Sequence, residues 1–526
     1  MNDARLELRG VVATAGGVRL LSGVDLAVRT GEITVVVGPS GAGKSTLLRA
    51  MLGMPPAGGS LTYAGALARG PDGYASEPAD VDAPEWTTVR RRLVGIVPQA
   101  AAASLDPLRT IEHEYFAAAH RRSVRSGAGD LAAALSAVGL RDPADIARRR
   151  PSTLSGGEAQ RAALAVAEAG SPPIFLLDEP TSALDPTVAA DLLRRLRRAV
   201  DAGRAGALIV THDPRVAAAT ADRVVVLSGG RVVEVGAVEA FFAGPSSSEG
   251  AAFVAACGAE AKRARPPSET RPTLTIDAVS KTYDGRPGLH PTSCEIAAGS
   301  AWGILGESGA GKSTLARIIA GLERPDRGRV SLGGSPPGRR VQLVWQDAFL
   351  TLDPRRPAGD AVVETLRARG LRGAVLAEAT LRAATTAGLT AAHLERRPAA
   401  LSGGERQRIG LARGLAADPD ILIADEAFAA LDAPLRHAVS RRLAVRSDGS
   451  LRAVVLVTHD LALARALVDH AIFMDQGRVV ASGPAEDVLF RPADPRAARF
   501  VASLLPARPA DRTAWLKAGS EAAPGC

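Results

Sequence analysis

Only three of the 526 residues are cysteine, Cys257, Cys294 and Cys526, and no two stand in a CxxC spacing. That excludes a disulfide framework and a cysteine-held zinc or iron–sulfur site, and it fits a reducing cytosol. Aromatic residues make up 3% of the chain, so small aliphatics rather than rings must fill the cores. No run of about 18 apolar residues occurs, which leaves no segment to span a bilayer. The opening Met1-Asn2-Asp3-Ala4-Arg5 is not followed by an apolar stretch of signal-peptide type. A basic stripe is also missing. The net charge is +8, but acidic residues are interspersed with the arginines, and clusters such as Arg148-Arg149-Arg150 are short. This balance reads as a solvated surface, and no nucleic-acid partner is expected.

What the chain does have is a phosphate cradle, written twice. Gly38-Pro39-Ser40-Gly41-Ala42-Gly43-Lys44-Ser45-Thr46 follows the β-branched run Ile33-Thr34-Val35-Val36-Val37 and precedes the helical-looking Leu47 to Met51. Strand, glycine-rich loop and helix in that order turn backbone N–H groups onto an anion. Gly38, Gly41 and Gly43 allow positive φ and keep side chains away from the phosphates. Lys44 would reach the β and γ phosphates, and the Ser45 hydroxyl would bind Mg²⁺. Gly306-Glu307-Ser308-Gly309-Ala310-Gly311-Lys312-Ser313-Thr314 repeats the pattern after Trp302 to Leu305, with its lysine 268 positions on. Four later pairs share an offset of 247: Gln99 and Gln346, Ser155 and Ser402, Asp178 and Asp425, His212 and His459. The chain is therefore a tandem duplication. The first copy carries 21 extra residues between its lysine and Gln99, where Gly70 to Pro84 reads as a surface loop.

Each copy opens with alternating, strand-like segments, passes through an Ala- and Arg-rich region of helical composition, and returns to buried-strand signals. In the first copy these are Ile174 to Leu177, Leu208 to Val210, and a hairpin over Val224 to Val235 turning at Ser228-Gly229-Gly230. Alternating strands and helices predict an α/β protein. The expected divisions are a first nucleotide-binding domain over 1–257, a polar, proline-containing linker over 258–272, a second domain over 273–506 and a tail over 507–526.

Further motifs follow each loop. Leu154-Ser155-Gly156-Gly157-Glu158 and Leu401-Ser402-Gly403-Gly404-Glu405 each precede an Ala-rich helical stretch, whose start offers free N–H groups and a dipole to an anion. Both lie 23 residues before an aspartate that ends an apolar strand, Ile174 to Asp178 and Ile421 to Asp425, each followed by a glutamate. A buried strand holds such carboxylates rigidly at its carboxyl end, where α/β sheets bind ligands.

On these motifs nearly the whole chain resembles the nucleotide-binding domains of ABC transporters. The resemblance implies tandem P-loop NTPase domains, each with a RecA-like α/β core, an antiparallel β subdomain and an α-helical signature subdomain. It implies ATP and Mg²⁺ at two sites shared head to tail: Lys44 and Ser45 with Ser402, Gly403 and Gly404, and Lys312 and Ser313 with Ser155, Gly156 and Gly157. Asp178 and Asp425 would support Mg²⁺, with Ser45, Ser313 and the Q-loop glutamines Gln99 and Gln346. Glu179 and Glu426 would polarise the attacking water as general bases. His212 and His459, in Thr-His-Asp triplets after short aliphatic strands, resemble the switch histidines that contact the γ phosphate.

Two departures from the family pattern point to unequal sites. The D-loop Ser182-Ala183-Leu184-Asp185 of the first copy has Ala429 in place of its serine in the second. Tyr283 stands where the family places an adenine-stacking ring, while Val12 to Gly16 of the first copy has none. The stretches Ser104-Leu105-Asp106-Pro107 and Thr351-Leu352-Asp353-Pro354 resemble those of the peptide and nickel importer ATPases, though that group's tail cysteines are missing. The implied role is the energy-coupling subunit of an importer, peripheral on the cytoplasmic face of the membrane. Its partners would be two transmembrane permease subunits and an extracytoplasmic solute-binding protein. The alternatives are an exporter ATPase and a soluble twin-domain factor acting on ribosomes or RNA, which would carry a long charged helical linker and an Asn-His D-loop. A DNA-repair ATPase would need zinc cysteines or coiled coils, and the 111 residues between Lys44 and Ser155 leave no room for the latter.

Overall fold

The computed structural model describes residues 4–39, 41–70, 74–98, 104–140, 142–182, 184–257, 274–283, 285–297, 299–333, 341–345, 352–426 and 452–521. Ser40, Gln99, Gln346, Ala429 and the segment 258–272 lie outside these residues. The chain forms two compact units, one of residues 1–258 together with 505–526, the other of residues 259–504. The stretch read from sequence as a tail, 507–526, thus groups with the first unit.

Each unit is built on a six-stranded sheet. In the first, the strands lie in the order Arg231–Ala237, Arg223–Ser228, Ile33–Val37, Gly206–Val210, Ile174–Asp178 and Val94–Val97. All neighbours run parallel except the edge hairpin, which turns at Gly229-Gly230 as its sequence predicts. Every residue of Ile33–Val37 and Gly206–Val210 is buried, because a parallel sheet covered on both faces leaves no side for polar residues. The second unit repeats the order from the other edge: Val341–Val344, Ile421–Asp425, Ala453–Thr458, Ala301–Leu305, His470–Asp475 and Arg478–Pro484.

This order decides the site. In each unit the strand before the phosphate loop, the strand before the histidine and the strand ending in aspartate are neighbours, in register at Val35, Ile209 and Leu177 in the first unit. Being parallel, they open three loops at one edge of the sheet.

A separate antiparallel sheet carries the N-terminal strands of each copy, Arg5–Ala15 with Val18–Arg29 and Leu274–Tyr283 with Arg286–Ile296. The stretch Gly70 to Pro84 is more than a surface loop. Ala75–Ser76 pairs with Ala68 and Arg69 and extends the first antiparallel sheet. Just beyond it, Trp86 is fully buried, its indole N–H reaching Tyr63 Oη at 2.9 Å and Asp80 O at 3.0 Å. Gly53 lies against this ring so closely that a Cβ there would run into it.

Alanine, valine and leucine fill both faces of each central sheet. The Ala- and Arg-rich regions fold into the helices Ile111–Arg121, Ala128–Ala137 and Pro143–Arg148 in the first unit. Their counterparts are Asp360–Ala368, Gly373–Thr386 and Ala391–Glu395.

Candidate active site

The two phosphate loops share one backbone. Gly43 and Gly311 sit at the N-caps of the helices Lys44–Ala50 and Lys312–Ile319 with φ of 100° and 93°, a left-handed conformation that costs other residues. Lys44 Nζ donates to Gly38 O at 2.7 Å and Pro39 O at 2.9 Å; Lys312 Nζ donates to Gly306 O at 2.9 Å and Glu307 O at 2.7 Å. Each lysine is thereby held across its own loop. Burial lowers the Lys44 pKa, opposed by Glu179 and Asp178 nearby. Thr46 and Thr314 follow on the first turn of each helix. Ser308 and Gly309 are exposed at the crest of the second loop, as Gly41 is in the first.

Asp178 and Asp425 end their strands nearly buried. Burial raises both pKa values, against a hydrogen bond from Ser45 to Asp178 and from Ser313 to Asp425. Each is a desolvated carboxylate joined to a loop hydroxyl, with a second carboxylate beside it, and the loop lysine only partly offsets the cost of burial. These oxygen donors, a loop hydroxyl and a carboxylate, are of the kind a hard divalent cation takes, and Mg²⁺ fits them.

The next residue in each copy, Glu179 or Glu426, adopts the left-handed φ of 50° or 49°. Its N–H is held by Val210 O or Val457 O at 2.9 Å. That turn swings the carboxylate towards the histidine loop. His212 Nδ1 lies 2.7 Å from Glu179 Oε1, and His459 Nδ1 lies 2.8 Å from Glu426 Oε1. In the first unit the His212 backbone N–H also donates to Oε1 at 3.1 Å. Both histidine pKa values are raised, chiefly by this hydrogen bond and against the effect of burial.

The signature serines cap their own helices. Ser155 Oγ accepts from Glu158 N at 3.3 Å while Glu158 Oε2 accepts from Ser155 N at 2.8 Å, and Ser402 with Glu405 repeats this at 3.2 and 2.7 Å. This reciprocal capping box fixes the helix start. It uses each hydroxyl as an acceptor and leaves its proton to give. Ser155, Ser402 and Gly403 are exposed, and Gly157 and Gly404 partly so, with Gly156 opening the first helix.

Tyr283 stands beside the second loop: its hydroxyl donates to Glu323 and lies 3.5 Å from Thr314 Oγ1, with its ring 40% exposed. The ring lies over Gly288, where a Cβ would meet it. In the first copy these positions hold Ala15 and Leu20.

Sequence reasoning gave no role to Thr211 or Gln407, and it named Ser182 only as the D-loop serine. Thr211 is fully buried; its hydroxyl donates to Glu179 Oε2 at 3.4 Å and accepts from Asp213 N at 3.0 Å. Ser182 Oγ donates to Glu179 O at 3.0 Å. Gln407, buried in the second signature helix, donates through Nε2 to Trp345 O at 2.8 Å, immediately before Gln346. The signal was present: Gln407 and the buried Gln160 stand 247 positions apart, the offset of the other landmarks.

Comparison with known proteins bears on the family and the fold. A family model described as ABC transporter matches residues 21–182 and 289–429. The chain is 31% identical to the glutathione import ATP-binding protein GsiA of Shigella dysenteriae serotype 1, and 30% identical to GsiA of Escherichia coli K12. In both cases the match covers 92% of this chain and 86% of the relative. Among solved structures, an archaeal ribosome recycling factor in complex with a stalk protein superposes with a TM-score of 0.61 over 89% of this chain and 88% of that one. At 22% identity that likeness is one of fold alone.

Proposed function

The chain belongs to the ABC transporter family of ATP-binding proteins, and from that premise we propose that it is the ATP-hydrolysing, energy-coupling subunit of an importer for peptides, nickel or a similar small solute. The observation that carries the ATPase reading is the glutamate–histidine pair beside a lysine-held phosphate loop, built twice with the same distances within about 0.1 Å. The import direction rests on the relatives, which are named import ATP-binding proteins. Glutathione, the solute in their name, is a small peptide, which agrees with the peptide-importer features of the sequence.

In this reading ATP enters with its phosphates on the loop, and Lys44 or Lys312 exchanges its carbonyl partners for β and γ phosphate oxygens. Mg²⁺, held by Ser45 and Asp178 or by Ser313 and Asp425, with Gln99 and Gln346 as further candidate ligands, would neutralise charge on the phosphates. The imidazole of His212 or His459 turns to the γ phosphate. That releases Glu179 or Glu426 to take a proton from the attacking water as the bond to the ADP oxygen breaks. The exposed signature serine and glycines of one unit complete the loop of the other, so binding draws the halves together and hydrolysis lets them part. Separate membrane permeases convert that motion into transport, with a solute-binding protein delivering the cargo. The protein would then sit on the cytoplasmic face of the membrane, and among the described residues no helix is long and apolar enough to cross it.

The test is purification of the tagged protein from its own cells in mild detergent. Two multi-span membrane proteins should come with it and raise its ATP turnover. Recovery with ribosomes instead would overturn the import reading.

A further inference from the structure

We propose that residues 505–521 are a clasp: having completed the second unit, the chain returns to the first and fastens there, keeping the halves joined when neither holds nucleotide. The grouping of 505–526 with the first unit means that the backbone passes between units a second time, after Leu504. What fastens it is specific. Trp515, on the terminal helix Arg512–Glu521, is 6% exposed and lies in the core of the first unit, with Leu505 and Leu516 packed against that core. The Arg194 guanidinium, from the helix Pro186–Asp201, lies over the Trp515 ring at 4.5 Å from its centroid.

The remaining contacts grip both ends of one helix, Pro214–Thr220. Near its start, Arg215 Nη1 donates to Leu505 O at 3.2 Å. At its end, Arg512 donates to Ala218 O at 3.2 Å and to Ala221 O, carbonyls that the helix itself leaves without donors. A cation is also favoured there by the helix dipole. Asp222 balances the charge, lying 3.9 Å from Arg512 and 2.7 Å from Arg197 while it accepts from Ile33 N at 2.8 Å. A buried ring, a stacked guanidinium and a charged cap form a far stronger attachment than a surface salt bridge. None of these contacts uses the phosphate loop, so the fastening does not depend on ATP. The gripped helix is capped by Asp213, the residue after His212, so the clasp also bears on that loop.

The full chain with a protease site placed in the linker 258–272 tests this. Cut in EDTA without nucleotide, the wild-type halves should elute together on size exclusion, while Arg512→Ala with Trp515→Ala should let them separate. Arg512→Ala alone keeps Trp515 in the core and serves where the double variant does not fold. It should weaken association of the cut halves about tenfold on dilution. Separation of the cut wild type, or an unchanged dissociation constant in Arg512→Ala, would overturn the proposal.

Discussion

At the scale of single residues, the pair of glutamate and histidine makes a testable statement about pH. The short bond from His212 Nδ1 to Glu179 Oε1 favours the protonated ring and raises the histidine pKa above its usual 6.5. A group whose folded pKa is raised contributes stability that is complete below its unfolded value and is lost as pH rises through the folded one. Urea midpoints of the wild type should therefore fall between about pH 6.5 and the raised value, relative to His212→Gln with His459→Gln. Parallel pH curves for the two proteins would remove the charged pair. The residue types and their spacing were readable in the sequence. The pairing was not, because Glu179 and His212 meet only through a left-handed turn and a neighbouring parallel strand.

At the scale of elements, the phosphate loop is held by what crosses it. Gly38 has φ of 150°, and a Cβ there would run into the carbonyl of Leu227 on the adjacent strand Arg223–Ser228. Gly41 has φ of 78° but nothing within 4 Å of such a Cβ. Gly38→Ala must push loop and strand apart and should cost at least about tenfold in ATP affinity. Gly41→Ala adds only left-handed strain of about 1–2 kcal/mol. Fluorescent-nucleotide titration distinguishes them, and equal losses would mean that the contact with Leu227 is unimportant. Most elements were readable in advance, since buried parallel strands are continuous aliphatic runs and the signature helices announce their capping boxes. The insertion in the first copy was not: Gly and Pro marked it as loop, but Tyr63, Gly53 and the fully buried Trp86 turn its end into core.

At the scale of the whole molecule, two copies of one design hold unlike sites. Tyr283 offers a ring beside the second loop, where the first copy has Ala15. Stacking of a base on an aromatic contributes about 1–3 kcal/mol. Glu426→Gln leaves the first site to turn over and Glu179→Gln leaves the second. The KM for ATP of the former should therefore be about five- to tenfold higher. Equal KM values would sink the asymmetry. By itself the sequence determined the duplication, the α/β class, the glycine-rich loops, the helices that Ser155 and Ser402 cap, and the list of candidate site residues. Each of these is a local pattern whose spacing carries its own chemistry. Only the tertiary structure decided that Gln407 anchors Trp345, that Glu179 and His212 come within hydrogen-bond distance, and that Arg512 and Trp515 return to the first unit. Those contacts join residues tens to hundreds of positions apart, and the direction of a side chain across a sheet or onto a distant helix end is set by packing, which no local pattern records.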